Sequence, residues 1–123
     1  MLIRALVLAE SAALIVFALL PSSSVPPGDP TGGGYLFHFL AYTIYATLLI
    51  ILFRKSSSQK RFFFTLGIAV LMGILTEGIQ SIVPTRSADL TDLLADVIGA
   101  LVGAVATSAQ ARYRGPSPAS RSS

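Results

Sequence analysis

Four apolar stretches, each close to the length of a membrane-spanning helix, constrain this chain more than any other feature of its sequence. They cover residues 2–20, 36–53, 62–83 and 90–109. An α-helix rises about 1.5 Å per residue, so about 20 apolar residues cross the roughly 30 Å of hydrocarbon in a bilayer. The sequence therefore predicts an all-α, polytopic membrane protein with four transmembrane helices in one bundle.

Little of the 123-residue chain remains outside these stretches. Hydrophobic residues make up 53% of it and charged residues only 12%, against about 25% charged in soluble domains. We expect one transmembrane domain over residues 1–111. The last part, residues 112–123, is polar and rich in Pro and Ser, which predicts a disordered cytoplasmic tail. The chain contains no Cys, so disulfides and thiolate metal sites are excluded.

The first apolar stretch also resembles a secretory signal, because Arg4 precedes it and small polar residues follow it. Glu10 interrupts its apolar core, however, and no small-x-small cleavage site follows cleanly. We therefore expect this stretch to be retained as the first helix.

The basic residues predict the orientation of the helices. Arg86 is the one Lys or Arg in the links that follow the first and third stretches, and the other eight precede or open the first helix, fill the central link or lie in the tail. Basic residues concentrate on the cytoplasmic side of a membrane, so both termini and the central link are expected there. The net charge of +3 then reflects the orientation of the helices, and the expected contact is membrane lipid. Nucleic acid is not an expected partner, because no basic helical face carries interleaved aromatic residues.

Acidic residues gather on the opposite, outer side. Glu10 is the exception, and the others lie in the first outer link or in the outer halves of the third and fourth helices: Asp29, Glu77, Asp89, Asp92 and Asp96. An ionised side chain at the middle of a membrane helix costs about 2.5–3.5 kcal/mol. We therefore expect these groups to face the bundle interior or a wet cavity.

Helical spacing places the acids of the fourth helix on one face. Asp89, Asp92, Asp96, Gly99 and Gly103 follow one another by three or four residues and form one stripe. The two glycines form a GxxxG pair, which predicts a close approach of another helix, either within the bundle or in a homo-oligomer. Beyond the reach of capping, Asp96 requires a partner, for which Arg86 and His38 are the candidates by depth.

Two other helices present matching polar faces. Glu77 and Gln80 share a face of the third helix, and His38, Tyr42 and Tyr45 share a face of the second. If these faces converge, they form an outward-facing ligand-binding pocket with the following residues: His38, Glu77, Gln80, Arg86, Asp92 and Asp96.

A family resemblance rests on the same residues. His38 with Tyr42, then "EGIQ", "PTR" and "DLLADVIGALVG", resemble in order and spacing the VanZ-like family of small bacterial membrane proteins. The resemblance spans residues 38–103. Asp96 stands where the family usually has Asn, and Gly34 and Tyr35 stand where many members have Asp-Lys. It implies an outer-face function linked to the cell envelope, since the namesake is associated with resistance to the glycopeptide antibiotic teicoplanin.

The sequence leaves three functions open for these residues. The alternative is that they form only an ion-pair network that stabilises the fold. The pocket could bind an envelope lipid or a glycopeptide, with Arg86 contacting an anion. It could be an enzyme site, with His38 and either Glu77 or Asp92 as catalytic candidates. It could also serve a proton-coupled carrier, although the inner half of the fourth helix lacks titratable groups. No His-rich helix motif is present, so neither a metal nor another cofactor is predicted.

The structural alternative is specific for two acids. Asp89 and Asp92 both stand where an acid can cap the fourth helix and stabilise its positive end. Glu10 has no evident partner in the sequence. Each of these interpretations can be examined in the structure.

Overall fold

A computed structural model describes residues 1–21 and 33–114. It contains four helices, α1 (Leu2–Leu19), α2 (Gly33–Leu52), α3 (Ser58–Ile82) and α4 (Leu90–Tyr113), and the described residues include no strand. Each helix is long and apolar enough to cross a membrane. The prediction of an all-α membrane protein with four transmembrane helices is confirmed.

The helix ends differ from the sequence prediction where polar residues continue a helix. α3 begins at Ser58 because the Ser57 hydroxyl accepts a hydrogen bond from the backbone N–H of Lys60, at 3.5 Å. Lys60 and Arg61 therefore lie in the first turn of α3, where their long side chains can reach the membrane surface. α4 likewise continues to Tyr113, so Arg112 belongs to a helix. Residues 115–123, which carry most of the predicted tail, lie outside the described residues, as does Asp29.

α2 and α3 each pack against all three other helices, and the most extensive contact in the bundle joins α2 to α4. α2 contributes four of the eight residues of the buried core, and the other helices contribute the rest: Val7, Leu14, Tyr42, Tyr45, Ala46, Leu49, Ala69 and Ala100. Because α1 contributes two of these residues, it is part of the bundle, as expected for a retained helix. Large apolar side chains such as Leu71 and Ile98 are exposed on the outside, where lipid would cover them.

The GxxxG pair of α4 is used inside the chain. Gly99 and Gly103 are buried against α2, where a Cβ atom on either glycine would overlap the carbonyl group of Phe39 or Thr43. The Thr43 hydroxyl also donates a hydrogen bond to the Gly99 carbonyl oxygen at 3.1 Å. This face is therefore occupied by α2. A homo-oligomer through the same glycines stays a prediction, and it would require α2 to leave this face.

Candidate functional site

His38 lies near the start of α2 and joins two acids of α4. Its side chain is buried, and Nδ1 is 2.8 Å from Asp96 Oδ1 while Nε2 is 3.6 Å from Asp92 Oδ2. An ionised carboxylate can only accept, so the Nδ1–H group donates to Asp96. In a neutral ring this leaves the Nε2 lone pair free to accept a proton or bind a cation. His38, and not Arg86, is therefore the partner that Asp96 requires.

Asp96 lies where three helices meet. Only 1% of its surface is exposed. Oδ1 accepts the bond from His38 of α2, whereas Oδ2 is buried with no hydrogen-bond partner among the described residues. Oδ2 also faces Gly73 of α3, since a Cβ built on that glycine would be 3.3 Å away. Gly73 thus provides the space that this carboxylate occupies.

Glu77 connects the end of α3 to the start of α4. Its Oε2 accepts a hydrogen bond from the backbone N–H of Asp89 at 2.8 Å. Its other oxygen, Oε1, is buried and has no hydrogen-bond partner among the described residues, and the residue as a whole is 7% exposed. Glu77 therefore resembles Asp96 in having one hydrogen-bonded oxygen and one buried oxygen without a partner among the described residues.

Asp89 is the N-cap of α4. Its carboxylate accepts a hydrogen bond from the backbone N–H of Thr91 at 2.8 Å and a further one from the Thr91 hydroxyl. These bonds favour the ionised form and hold the pKa of Asp89 below its usual range. The capping interpretation is confirmed for Asp89. Asp92 lies in the first turn of the same helix, where its charge suits the helix end, but its carboxylate also approaches His38.

Tyr42 and Thr76 form a hydrogen-bonded pair next to these acids. The sequence placed Tyr42 on the polar face of α2 but did not point to Thr76. The Thr76 hydroxyl donates to the Gly73 carbonyl oxygen at 3.0 Å and lies 3.0 Å from the Tyr42 hydroxyl, which therefore donates to it. Both residues are buried. Thr76 immediately precedes Glu77, and a hydroxyl residue beside an acid in an apolar helix is the signal that would have found it. Tyr42 is thus held against α3 and cannot rotate freely under the acids.

Arg86 contacts α1 and does not form an ion pair with any acidic residue that the structure describes. Its Nη1 donates to the backbone oxygens of Phe17 and Leu20, at 3.1 and 3.4 Å, and its guanidinium lies 5.4 Å from the centre of the Phe17 ring. Arg86 therefore ties the α3–α4 link to the end of α1. Within the described part of the chain, both ion pairs involve His38.

Four of the six predicted site residues lie close together. We use the name acid cluster for His38, Glu77, Asp92 and Asp96. Within it, one potential ligand atom from each of His38, Glu77 and Asp96 lies within 4.8 Å of the others. Gln80 is buried close to the end of α3, about one turn beyond Glu77. A group of buried oxygens around one imidazole can accept hydrogen bonds, exchange protons or bind a cation.

A separate depression lies at the other end of the bundle, where α3 begins and α4 ends. Its volume is about 700 Å³, and arginine, serine and aromatic side chains line it, among them Ser58, Arg61, Phe62, Ser108, Arg112 and Tyr113. The acid cluster lies near the opposite ends of α3 and α4, so the two features lie at opposite ends of the bundle.

Comparison with known proteins identifies a family match. A protein-family model described as VanZ/LLP1 matches residues 4–110. These residues include most of every helix and the whole acid cluster. Searches of curated proteins and of solved structures found no match.

Proposed function

The chain belongs to the VanZ/LLP1 family, and from this premise we propose that it binds an exported polar or lipid-linked envelope ligand at the acid cluster. One observation carries the proposal: Glu77 Oε1 and Asp96 Oδ2 are buried without a hydrogen-bond partner in the described chain. A buried polar atom left without a partner costs about 1–3 kcal/mol. A ligand that donates hydrogen bonds from hydroxyl or amine groups would offset this cost.

The proposal includes an orientation, with both termini inside a bacterial plasma membrane and the acid cluster near the outer surface. Arg54 and Lys55 lie in the α2–α3 link and Arg4 in the first turn of α1, whereas Arg86 lies in the α3–α4 link. This distribution supports a cytoplasmic α2–α3 link. The ligand would then reach the cluster from outside the cell.

Two exposed serines, one in each of these links, test the orientation. With no native Cys, Ser87→Cys and Ser57→Cys each create a single thiol on the described surface. A membrane-impermeant maleimide added to intact cells should label Cys only in Ser87→Cys, and both variants should react after the membrane is opened. Labelling of Ser57→Cys alone in intact cells would reverse the proposed topology.

Ligand binding is tested with a short-chain polyprenyl-linked saccharide and with teicoplanin, each titrated onto the protein in nanodiscs. Replacing Glu77 by Gln or Asp96 by Asn removes one charge-assisted hydrogen bond, which is worth about 1.5–3 kcal/mol, or roughly 10- to 100-fold in affinity. Asp89→Asn is the matched control, because it removes the same charge nearby while Asn also caps helices well. Equal affinity in wild type, Glu77→Gln and Asp96→Asn would contradict the proposal.

Catalysis on such a ligand is a second candidate function, and the His38–Asp96 contact favours it. A carboxylate 2.8 Å from Nδ1 orients the ring and stabilises its protonated form, so Nε2 could act as a general base. An enzyme would convert the saccharide probe into a product, and His38→Ala would abolish turnover. Binding without product would leave the binding function alone, and proton-gradient-dependent uptake into liposomes would instead indicate the carrier.

The family resemblance also predicts a link to glycopeptide resistance. Expression of the chain in a susceptible bacterium should raise the teicoplanin concentration that stops growth. Glu77→Gln should remove that increase, while Asp89→Asn should keep it.

A further inference from the structure

We propose that His38, Glu77 and Asp96 bind one divalent transition-metal ion, either Zn²⁺ or Mn²⁺. The inference deepens the proposed function and rests on it in one respect, since an ion from outside can reach these residues only if the acid cluster opens to the outer surface. The ion would be a resident part of the ligand-binding site and would occupy the two unpartnered oxygens, so the envelope ligand would bind through the ion rather than donate directly to these oxygens.

Three helices deliver the donor atoms. His38 comes from α2, Glu77 from α3 and Asp96 from α4, and one donor atom of each lies within 4.8 Å of the other two. Metal–ligand bonds of about 2.0–2.2 Å place the ligand atoms of one ion up to roughly 4.4 Å apart. One donor atom from each of the three residues therefore lies close to the spacing that a single ion requires.

The bonding of the two carboxylates leaves free the oxygens that an ion would need. Oδ1 of Asp96 and Oε2 of Glu77 already accept hydrogen bonds, which orient both groups. The remaining oxygens, Asp96 Oδ2 and Glu77 Oε1, are buried and have no partner in the described chain. A metal ligand is typically held by such an outer hydrogen bond on its other atom.

The charge of the acid cluster also favours a bound cation. Ionised Glu77, Asp92 and Asp96 place three negative charges, against at most one positive charge on His38, in a helix bundle where burial of unpaired ions is costly. Arg86 is directed to α1, and both ion pairs among the described residues use His38 rather than Lys or Arg. A divalent cation would neutralise two of the three carboxylates. One imidazole with carboxylates suits Zn²⁺ or Mn²⁺ better than Mg²⁺, which prefers oxygen ligands alone.

Metal binding is measured with the full chain in nanodiscs, without a His tag, after chelation and dialysis. Equilibrium dialysis against ZnCl₂ or MnCl₂ should give one bound ion per chain. Glu77→Gln and Asp96→Asn should each weaken binding by at least about 100-fold, more than the loss of an outer-shell contact, while Asp89→Asn should stay within about threefold of wild type. Folded wild type that binds no stoichiometric ion, or equal affinity in all variants, would overturn the inference.

X-ray absorption of the Zn²⁺-loaded wild type decides the ligand set even if the variants fail to fold. The chain contains a single His and no Cys, so an imidazole signal can come only from His38. One imidazole with oxygen ligands supports the site, and a spectrum with oxygen alone overturns it. Saccharide binding that persists in EDTA together with absent metal uptake would refute the metal site but keep the proposed function. Metal uptake without saccharide binding would refute the proposed function alone.

Discussion

Gly99→Ala is the substitution that tests most directly how the bundle holds its acid cluster together. The added Cβ would lie 3.1 Å from both the carbonyl carbon and the Cα of Phe39 and would overlap the Phe39 oxygen. These are backbone atoms of α2, so no side-chain rotation can relieve the contact. α2 and α4 must therefore move apart. Overpacking of this kind costs about 1–3 kcal/mol. Loss of the hydrogen bond from Thr43 to the Gly99 carbonyl, as the helices separate, adds about 0.6 kcal/mol.

The displacement should reach the acid cluster, because its residues adjoin the contact. His38 directly precedes Phe39, and Asp96 lies about one turn before Gly99 on the same face of α4. Separating the two helices would lengthen the 2.8 Å contact between His38 Nδ1 and Asp96 Oδ1. Gly99→Ala should therefore weaken ligand and metal binding although residue 99 would contact neither.

Gly67→Ala is the matched control, since it adds the same methyl group to a helix where the new Cβ would meet nothing within 4 Å. Reversible unfolding in mixed detergent micelles should show Gly99→Ala less stable than wild type by about 1.5–3.5 kcal/mol. Gly67→Ala should be unchanged or stabilised by up to about 1 kcal/mol. If Gly99→Ala unfolds with the wild-type free energy, or Gly67→Ala loses as much, the close α2–α4 contact is refuted.

Three further predictions concern single contacts. Tyr42→Phe removes the hydrogen bond to Thr76 and should lower the unfolding free energy by about 0.5–1.5 kcal/mol in the same assay; no change would show that this bond is not formed. Arg86→Ala should speed amide hydrogen exchange at the end of α1, where its guanidinium binds backbone oxygens, whereas unchanged exchange there would refute that contact. The bonds from Thr91 lower the pKa of Asp89 in the folded state. The ionised Asp89 cap therefore stabilises the fold fully at pH values above the usual carboxyl pKa. This stabilisation is lost as the pH falls through the lowered pKa of the folded state. Thermal melts of wild type and Asp89→Ala should therefore differ at pH 7 and converge in acid, and a constant difference would contradict the cap.

Much of the acid cluster could be predicted from helical periodicity. His38, Glu77 and Asp96 were each assigned to an inward face because a charged side chain on lipid is costly, and the structure buries all three. The spacing of Gly99 and Gly103 similarly predicted a close helix contact. These inferences need only one helix at a time, together with the polarity of the solvent around it.

Contacts between helices could not be predicted in the same way. From the sequence, both Arg86 and His38 are candidate partners of Asp96. Only the packing of α2 on α4 shows that His38 is the partner. Arg86 instead finds the end of α1, which lies far away in the chain.

The sequence by itself determined the number of spans, their inward faces and the end of the bundle at which the acids lie, because periodicity and hydrophobicity are local properties of the chain. Only the tertiary structure decided which oxygen of Glu77 binds the start of α4 and which buried oxygens have no hydrogen-bond partner among the described residues. Those outcomes depend on the rotation and depth of each helix relative to its neighbours. Close packing sets both quantities, and residues distant in sequence contribute to it together.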